Sequence, residues 1–160
     1  MFEDIIRLGC KFAILGSGEK IYEDFFSEMH YRYPDRVGLT IGFVPELSKK
    51  IYAGADMFLM PSQSEPCGLA QMIALRYGTI PIVRETGGLR DSIHDAGDKS
   101  GNGFTFKSYN AHDMLDAVVR ARAYYDDKMK WGRLVNTALK QDFSWTKSAK
   151  DYIALYNDIH

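Results

Sequence analysis

The sequence lacks a surplus of either charge, a cysteine framework and any long hydrophobic run. The 20 Lys and Arg against 21 Asp and Glu give a net charge of −1, without the basic block that a nucleic-acid-binding protein uses. The two cysteines, Cys10 and Cys67, are too few for a disulfide scaffold and form no CxxC pair. No apolar stretch approaches the roughly 20 residues of a membrane span, and the charged residues 1–10 do not look like a signal peptide. These absences predict an intracellular protein.

The composition is that of an ordinary globular domain. Hydrophobic residues make up 46% of the 160 residues and charged residues 26%. A chain of this length can bury about 70% of its unfolded surface. We therefore expect a single domain over residues 1–160.

Short apolar segments alternate with segments of helical periodicity along the whole chain. Continuous apolar strands are typical of a parallel sheet that is covered on both faces. The predicted fold is an open, doubly wound, mostly parallel α/β sheet, in which ligands bind beyond the carboxyl ends of the strands. The predicted strands are residues 11–15, 37–43, 57–60, 79–83 and 104–106. The predicted helices are residues 19–33, 46–55, 67–77, 88–94, 111–125 and 128–140, and a last one with Ser144 as N-cap that reaches Ile159.

The first predicted strand ends in Gly16-Ser17-Gly18. A dinucleotide-binding fingerprint would need a third glycine at position 21, where this sequence has Ile21, so an NAD-type site is disfavoured. Two interpretations stay open. The glycines either make a tight turn or let the backbone approach a bound phosphate.

Residues 61–71 follow the third predicted strand and contain a carboxylate, a proline and the start of a predicted helix at Cys67. The free N–H groups and the positive dipole end of a helix start favour phosphate. Glu65 could accept hydrogen bonds from sugar hydroxyls, so this segment could hold both halves of a nucleotide sugar. The alternative is that Glu65 only complements the helix dipole and that Cys67 is a small buried residue.

Other chemistries find little support in the sequence. A helix start lowers a cysteine pKa, but no histidine lies near Cys67 in the sequence to make it a nucleophile. The four histidines are scattered without metal-ligand spacing, so no metal site is predicted. No G-x-S-x-G motif is present for serine hydrolase chemistry.

Residues 64–69 (SEPCGL) and 86–89 (TGGL) resemble the C-terminal domain of bacterial glycogen synthases and plant starch synthases. These are retaining glucosyltransferases of the GT-B architecture. Further landmarks agree in order and spacing, and the resemblance covers nearly the whole chain. They are LGSG at 15–18, IGF at 41–43, AGAD at 53–56, YGTIP at 77–81 and DFSW at 142–145.

The resemblance implies roles for single residues. Glu65 is the implied catalytic residue, which binds the donor glucose and stabilises positive charge at its anomeric carbon. Phe43 is similar in position to an aromatic residue that stacks on the nucleobase. The remaining implied donor-binding residues are Gly16, Gly18, Cys67, Gly68, Leu69, Ala70, Thr86, Gly87 and Gly88.

The resemblance also implies a reaction. Glucose passes from ADP-glucose to the non-reducing end of an α-1,4-glucan with retention and without a metal, in the bacterial cytoplasm or a plastid stroma. Two alternatives stay open: another GT-B transferase that uses UDP-glucose, and a stand-alone nucleotide- or glucan-binding module.

The sequence also departs from the pattern of the resemblance. Ile73 stands where the wider GT-B group often has a second glutamate, which favours glycogen and starch synthases within that group. Ala70 stands where a threonine is common. The N-terminal acceptor domain and an Arg/Lys pair for the leaving diphosphate are missing from this sequence. It resembles a C-terminal fragment, which we expect to be inactive alone and either to self-associate or to fold its last helix onto its own sheet.

Overall fold

The computed structural model describes residues 1–97 and 101–159. Thirteen helices and strands lie within these ranges; helices and strands alternate up to α6, and two more helices follow it. The strands are β1 (Phe12–Gly16), β2 (Val37–Ile41), β3 (Met57–Met60), β4 (Ile80–Arg84) and β5 (Phe104–Phe106). The helices are α1 (Phe2–Arg7), α2 (Lys20–Arg32), α3 (Pro45–Gly54), α4 (Ala70–Tyr77), α5 (Gly87–Ser92), α6 (Ala111–Asp126), α7 (Lys128–Leu139) and α8 (Trp145–Ile159).

All strand pairs in the described residues are parallel, as predicted. They form two sheets rather than one: β1 pairs with β2, and the second sheet has the order β3-β4-β5. In the second sheet Met60 is opposite Val83, and Ile82 is opposite Phe104. The predicted parallel α/β class is confirmed, with helices packed on the sheets.

The helix ends follow the local sequence. Gly78 ends α4 with φ of +78°, the left-handed conformation that glycine adopts without strain, so the predicted C-cap is correct. The side chain of Asn110 accepts a hydrogen bond from the Asp113 N–H at the start of α6. Asp127 caps α7 in the same way through the Lys130 N–H.

Three sequence-based expectations about helices need correction. Helix α4 begins at Ala70 and not at Cys67, because Gly68 has φ of +73°, which no right-handed helix contains. Helix α1 was not predicted, since six residues are too few to establish a periodic pattern. The last helix was expected either to fold onto the chain's own sheet or to leave a surface for self-association, and α8 buries none of its residues.

The hydrophobic core lies mainly between β3-β4-β5 and the helices α4, α6 and α7. Leu75, Ile80, Val83 and Leu89 are fully buried there. The β1-β2 sheet contributes less, since Val37 is its one fully buried residue among those described. No described helix is long and apolar enough to cross a membrane.

Candidate functional site

The carboxyl ends of β3 and β4 lie side by side, since Met60 pairs with Val83. The segment 61–69 leaves β3 at this edge, and residues 85–88 leave β4 next to it. We call residues 61–69 the donor loop, after the role that the sequence resemblance implies for them. The two sequence motifs therefore meet at one place, as the strand-end rule for parallel sheets predicts.

The donor loop contacts the start of α5 through main-chain atoms. A Cβ added to Gly87 would lie 2.0 Å from the Glu65 carbonyl oxygen, and one added to Gly88 would lie 2.2 Å from that of Cys67. The Gly88 N–H also donates to the Pro66 carbonyl at 3.2 Å. Gly87 has φ of +44° as well. A side chain at position 87 or 88 would overlap the main chain of the donor loop, so both positions require glycine.

Gln71, in the first turn of α4, binds the same loop through hydrogen bonds from the interior of the protein. Its side chain is completely buried, with 0% of its surface exposed. Its Nε2 lies 2.9 Å from the Gly68 carbonyl oxygen, 3.2 Å from that of Cys67 and 3.1 Å from Ser92 Oγ. Sequence reasoning missed Gln71. The available signal was its spacing, three and four residues after the loop residues whose carbonyls it binds.

The Oε1 atom of Gln71 has no hydrogen-bond partner in the described part of the chain. A buried acceptor without a partner costs about 1–3 kcal/mol. The opposite amide orientation would place an oxygen against two carbonyl oxygens, so the assigned orientation is the favourable one. A Cβ on Gly68 would lie 2.5 Å from Oε1. Glycine at position 68 therefore lets the loop lie close to the Gln71 side-chain amide.

Arg84 holds the first part of the donor loop. Its Nη1 donates to the Gln63 carbonyl at 2.6 Å and to the Ser62 carbonyl at 3.3 Å. Its guanidinium lies 5.5 Å from the centre of the Tyr109 ring. Sequence reasoning also missed Arg84, because a basic residue at a strand end has no distinguishing pattern.

The predicted residues of the donor loop differ in exposure. Glu65 and Gly68 are half-buried, while Cys67 is an exposed free thiol and Leu69 is 66% exposed. Leu69 is the N-cap of α4, without a side-chain cap, so the first N–H groups from Ala70 onwards have no partner within the helix. The free N–H groups at this end of α4 can donate hydrogen bonds to an anionic oxygen.

Two further elements carry the other predicted residues. Gly42 at the end of β2 donates its N–H to the Gly16 carbonyl at 2.9 Å, which places Phe43 beside the end of β1. Phe43 is 91% exposed. The Gly18 N–H donates to Glu23 Oε1 at 2.9 Å. The structure thus brings the eleven predicted residues together as two groups, one at each sheet.

Neither packing nor backbone conformation requires glycine at positions 16 and 18. A Cβ at either position would meet no atom within 4 Å, and neither residue has a positive φ. The structure therefore gives no local packing or backbone reason for these two glycines.

A polar cluster braces the end of β4 just before Thr86. Thr105 Oγ1 donates to Glu85 Oε1 at 2.8 Å, and its N–H donates to Asp95 Oδ2 at 2.9 Å. Arg120 Nη1 also donates to Asp95 Oδ2, at 2.7 Å. Burial alone would raise the pKa of Asp95, but the hydrogen bonds from Thr105, Arg120 and Gly97 outweigh it and lower that pKa.

The described residues contain no group of three or more His, Cys, Asp or Glu side chains that could hold a metal ion. The groups that the site itself offers are backbone donors, one carboxylate and a helix start. This donor set suits a ligand with hydroxyl groups and negatively charged oxygens.

Comparisons with known proteins agree with this geometry. Over 161 aligned residues, the chain is 52% identical to a glycogen synthase of Anoxybacillus flavithermus and 50% identical to one of Desulforudis audaxviator. These alignments cover 99% of this chain but 33% and 32% of the relatives, so the chain spans about a third of the length of these curated relatives.

A solved structure is also similar. The catalytic domain of starch synthase IV from Arabidopsis thaliana, bound to ADP and acarbose, superposes with a TM-score of 0.84 at 40% identity. The match covers 96% of this chain and 33% of that one. The sequence profile of the family described as "Glycosyl transferases group 1" matches residues 5–133, which is most of the chain. The chain therefore belongs to the group 1 glycosyl transferases.

Proposed function

We propose that this chain is the donor-binding domain of a glycogen or starch synthase. The whole protein would transfer glucose from ADP-glucose to the non-reducing end of an α-1,4-glucan, with retention of the α configuration. The observation that carries the proposal is the main-chain contact between residues 65–67 and Gly87-Gly88 at adjacent strand ends. It joins the two most specific motifs of the sequence in one site.

The comparisons support this choice of donor and reaction. The curated relatives at 50–52% identity are glycogen synthases. The starch synthase domain at 40% identity was solved with ADP, the product that remains after glucose leaves the proposed donor. Because the two curated glycogen synthases come from bacteria, the proposal places the reaction in a bacterial cytoplasm.

The proposed roles follow the geometry of the donor loop. Glu65 accepts hydrogen bonds from the glucose and stabilises positive charge at the anomeric carbon, which is where charge develops in the transition state. Backbone N–H groups of Cys67 and Gly68 bind glucose hydroxyls. The diphosphate lies at the start of α4, over Leu69 and Ala70.

The other predicted residues surround the donor. Thr86, Gly87 and Gly88 line the pocket from the β4 side, and Gly16 and Gly18 let the backbone of the β1-β2 sheet approach the donor. The exposed Phe43 ring stacks on the adenine. No metal takes part in this proposal.

The glucan acceptor would bind to a part of the protein outside these 160 residues. We propose that the 160-residue chain binds the donor but does not transfer glucose by itself. The Arg/Lys pair that would stabilise the leaving diphosphate is missing from these residues. Its absence should raise the barrier to glucose transfer, because preorganised electrostatic stabilisation is commonly a large catalytic contribution.

The first test is titration calorimetry of this chain with ADP, ADP-glucose and UDP-glucose. We expect binding of the two adenine compounds, and weaker binding of UDP-glucose. Tighter binding of UDP-glucose would favour the alternative GT-B transferase. Binding of an α-1,4-glucan with no binding of nucleotide would favour a glucan-binding module.

The second test restores transfer by replacing the matching third of the A. flavithermus relative with this chain. In this chimera, Glu65→Ala should lower kcat for ADP-glucose at least about a hundredfold, which corresponds to roughly 2.7 kcal/mol. The matched control is Glu46→Ala, which removes an exposed carboxylate of α3 that pairs with Lys49. A chimera with Glu65→Ala and near-normal kcat would remove Glu65 from the catalytic residues.

A further inference from the structure

We propose that Gln71 is a positioning residue that turns the N–H groups of Gly68 and Leu69 outwards, towards the bound donor. The inference deepens the proposed function and rests on it. It follows from three features of the structure: the burial of Gln71, the partners of its amide and the planarity of the peptides that it binds.

The first feature is that the Gln71 amide donates hydrogen bonds to two consecutive peptide carbonyls. Nε2 lies within hydrogen-bond distance of the carbonyl oxygens of Cys67 and Gly68, and the side chain is completely buried. The two carbonyls therefore point into the protein. The Gly68 carbonyl has a second side-chain donor, the exposed Cys67 thiol, whose Sγ lies 3.7 Å from the oxygen.

The second feature is the geometry of the peptide group. None of the described peptides is cis, and in a trans peptide the C=O and the N–H point in opposite directions. The Cys67 carbonyl shares its peptide with the Gly68 N–H, and the Gly68 carbonyl shares its peptide with the Leu69 N–H. Because both carbonyls point inwards to Gln71, both N–H groups point outwards.

The third feature is that these two N–H groups are free. In residues 1–97 and 101–159, neither the Gly68 N–H nor the Leu69 N–H donates to a protein acceptor. They lie between the half-buried Glu65 and the first turn of α4, which begins at Ala70. Two adjacent outward N–H groups at this place match oxygen atoms of the donor's glucose or diphosphate.

Gln71 also joins the loop to α5. Its Nε2 reaches Ser92 Oγ, which in turn donates to the Gly88 carbonyl at 2.6 Å. The amide therefore fixes the loop relative to the glycine turn on the other side of the site. Its Oε1, which has no described partner, lies against Gly68 and excludes any larger residue there.

The test compares two variants of the full 160-residue chain, with ADP as the probe. Gln71→Met keeps the length of the side chain but removes the donor, and we expect ADP to bind at least tenfold more weakly. The matched control is Gln141→Met, since Gln141 is half-buried and likewise donates to a carbonyl, that of Thr137, but lies 70 residues further along the chain. This control should bind ADP like the wild type.

Gln71→Glu provides a readout that a merely structural role would not move. A protonated carboxylic acid can donate to one of the two carbonyls, whereas a carboxylate only accepts. The ADP affinity of Gln71→Glu, expressed relative to the wild type at each pH, should therefore recover as the pH falls from 8 to 5. If Gln71→Met does not fold, this pH profile decides the question.

Amide NMR separates the failure of this inference from the failure of the proposed function. In Gln71→Met, the ¹H and ¹⁵N shifts of Gly68 and Leu69 should move, even without ligand. A folded Gln71→Met that binds ADP within threefold of the wild type overturns the inference. If wild-type chain binds no ADP, the proposed function fails, and unchanged Gly68 and Leu69 shifts would then overturn the positioning role too.

Discussion

At the scale of single residues, Gly88 shows how a contact between main chains constrains the sequence. Its Cα lies against the Cys67 peptide, so a Cβ would overlap backbone atoms at 2.2 to 2.7 Å. Backbone cannot rotate away as a side chain can. We expect Gly88→Ala to displace the donor loop and to lower the free energy of unfolding by about 1–3 kcal/mol, in the range of overpacking.

The matched control for this prediction is Gly132→Ala. Gly132 lies within α7, and a Cβ there would meet nothing within 4 Å. Alanine should stabilise this helix position by about 0.5–1 kcal/mol. Urea unfolding of both variants gives the comparison, and ADP titration should show a loss for Gly88→Ala alone. Equal stability of the two variants would contradict the packing described for Gly88.

Phe43 allows a prediction about binding that is separate from stability. Because its ring is 91% exposed, Phe43→Ala should leave the urea midpoint unchanged. If the ring stacks on adenine, the variant should bind ADP more weakly by about 1–3 kcal/mol. Tyr31→Ala is the control, since Tyr31 is 86% exposed on α2 and has no proposed role. Calorimetry that finds equal ADP affinity in both variants would show that Phe43 does not stack.

Residue identities could be predicted from the sequence more readily than residue partners. The motif residues Glu65 and Gly88 stand out in the sequence, and the structure brings their segments together. Gln71 did not stand out, because its role depends on the fold of the loop, and one glutamine on an amphipathic helix carries no periodic signal. The glycines at positions 87 and 88 were recognised from the motif alone. The close contact that requires them became visible only once β3 was seen to lie beside β4.

At the scale of secondary-structure elements, the polar cluster around Asp95 ties β5, α6 and the end of β4 together. The folded-state pKa of Asp95 is lowered, because the hydrogen bonds to its carboxylate outweigh the effect of burial. Its contribution to stability is therefore present above the unfolded pKa of about 3.9 and is lost as the pH falls through the lower folded value.

Asp95→Asn tests this contribution. We expect the variant to be less stable than the wild type by about 1 kcal/mol at pH 7, a modest value because the ion pair with Arg120 is partly exposed to solvent. The difference should shrink below about pH 4, where the wild-type carboxyl also becomes neutral. Urea unfolding at pH 7, 5 and 3 measures it, with the exposed Asp151→Asn on α8 as control. A difference that does not change with pH would contradict this account.

Element types followed from the sequence, while some boundaries did not. Strand β3 was predicted at residues 57–60, where the structure has it, because a short apolar run flanked by polar residues fits a buried strand. The start of α4 was predicted three residues early, since helical spacing continues back to Cys67 and only the backbone angle of Gly68 breaks it. Such an angle depends on contacts with Gln71 and α5.

At the scale of the whole molecule, α8 differs from the other long helices. It buries no residue, and Trp145 is 89% exposed. Its exposed apolar side chains also include Tyr152, Ile153, Leu155, Tyr156 and Ile159. The structure therefore does not show the alternative in which this helix packs onto the chain's own sheet. Apolar surface of this kind favours association.

Truncation after Asp142 tests the independence of α8. Because nothing in α8 is buried, the free energy of unfolding should change by less than about 0.5 kcal/mol. Light scattering should show concentration-dependent association of the full chain and less of it after truncation. A large loss of stability in the truncated chain would mean that α8 packs against the domain.

The parallel class of the fold was predictable because its strands are continuous apolar runs, but its division into two sheets was not. Pairing between strands depends on contacts that are distant in sequence, and the apolar runs of β1 and β3 do not specify whether these strands are neighbours.

The main-chain contact between the donor loop and α5 has a consequence for how this site can evolve. Because Glu65, Pro66 and Cys67 meet Gly87 and Gly88 through backbone atoms, this contact does not use the side chains at those three positions. A substitution such as Glu65→Ala can therefore change what the site offers to a ligand while this contact still holds the two strand ends together. Gly87 and Gly88, in contrast, cannot take a side chain without disturbing this contact. They touch no substrate through a side chain, yet they are the positions at which the site tolerates the least change.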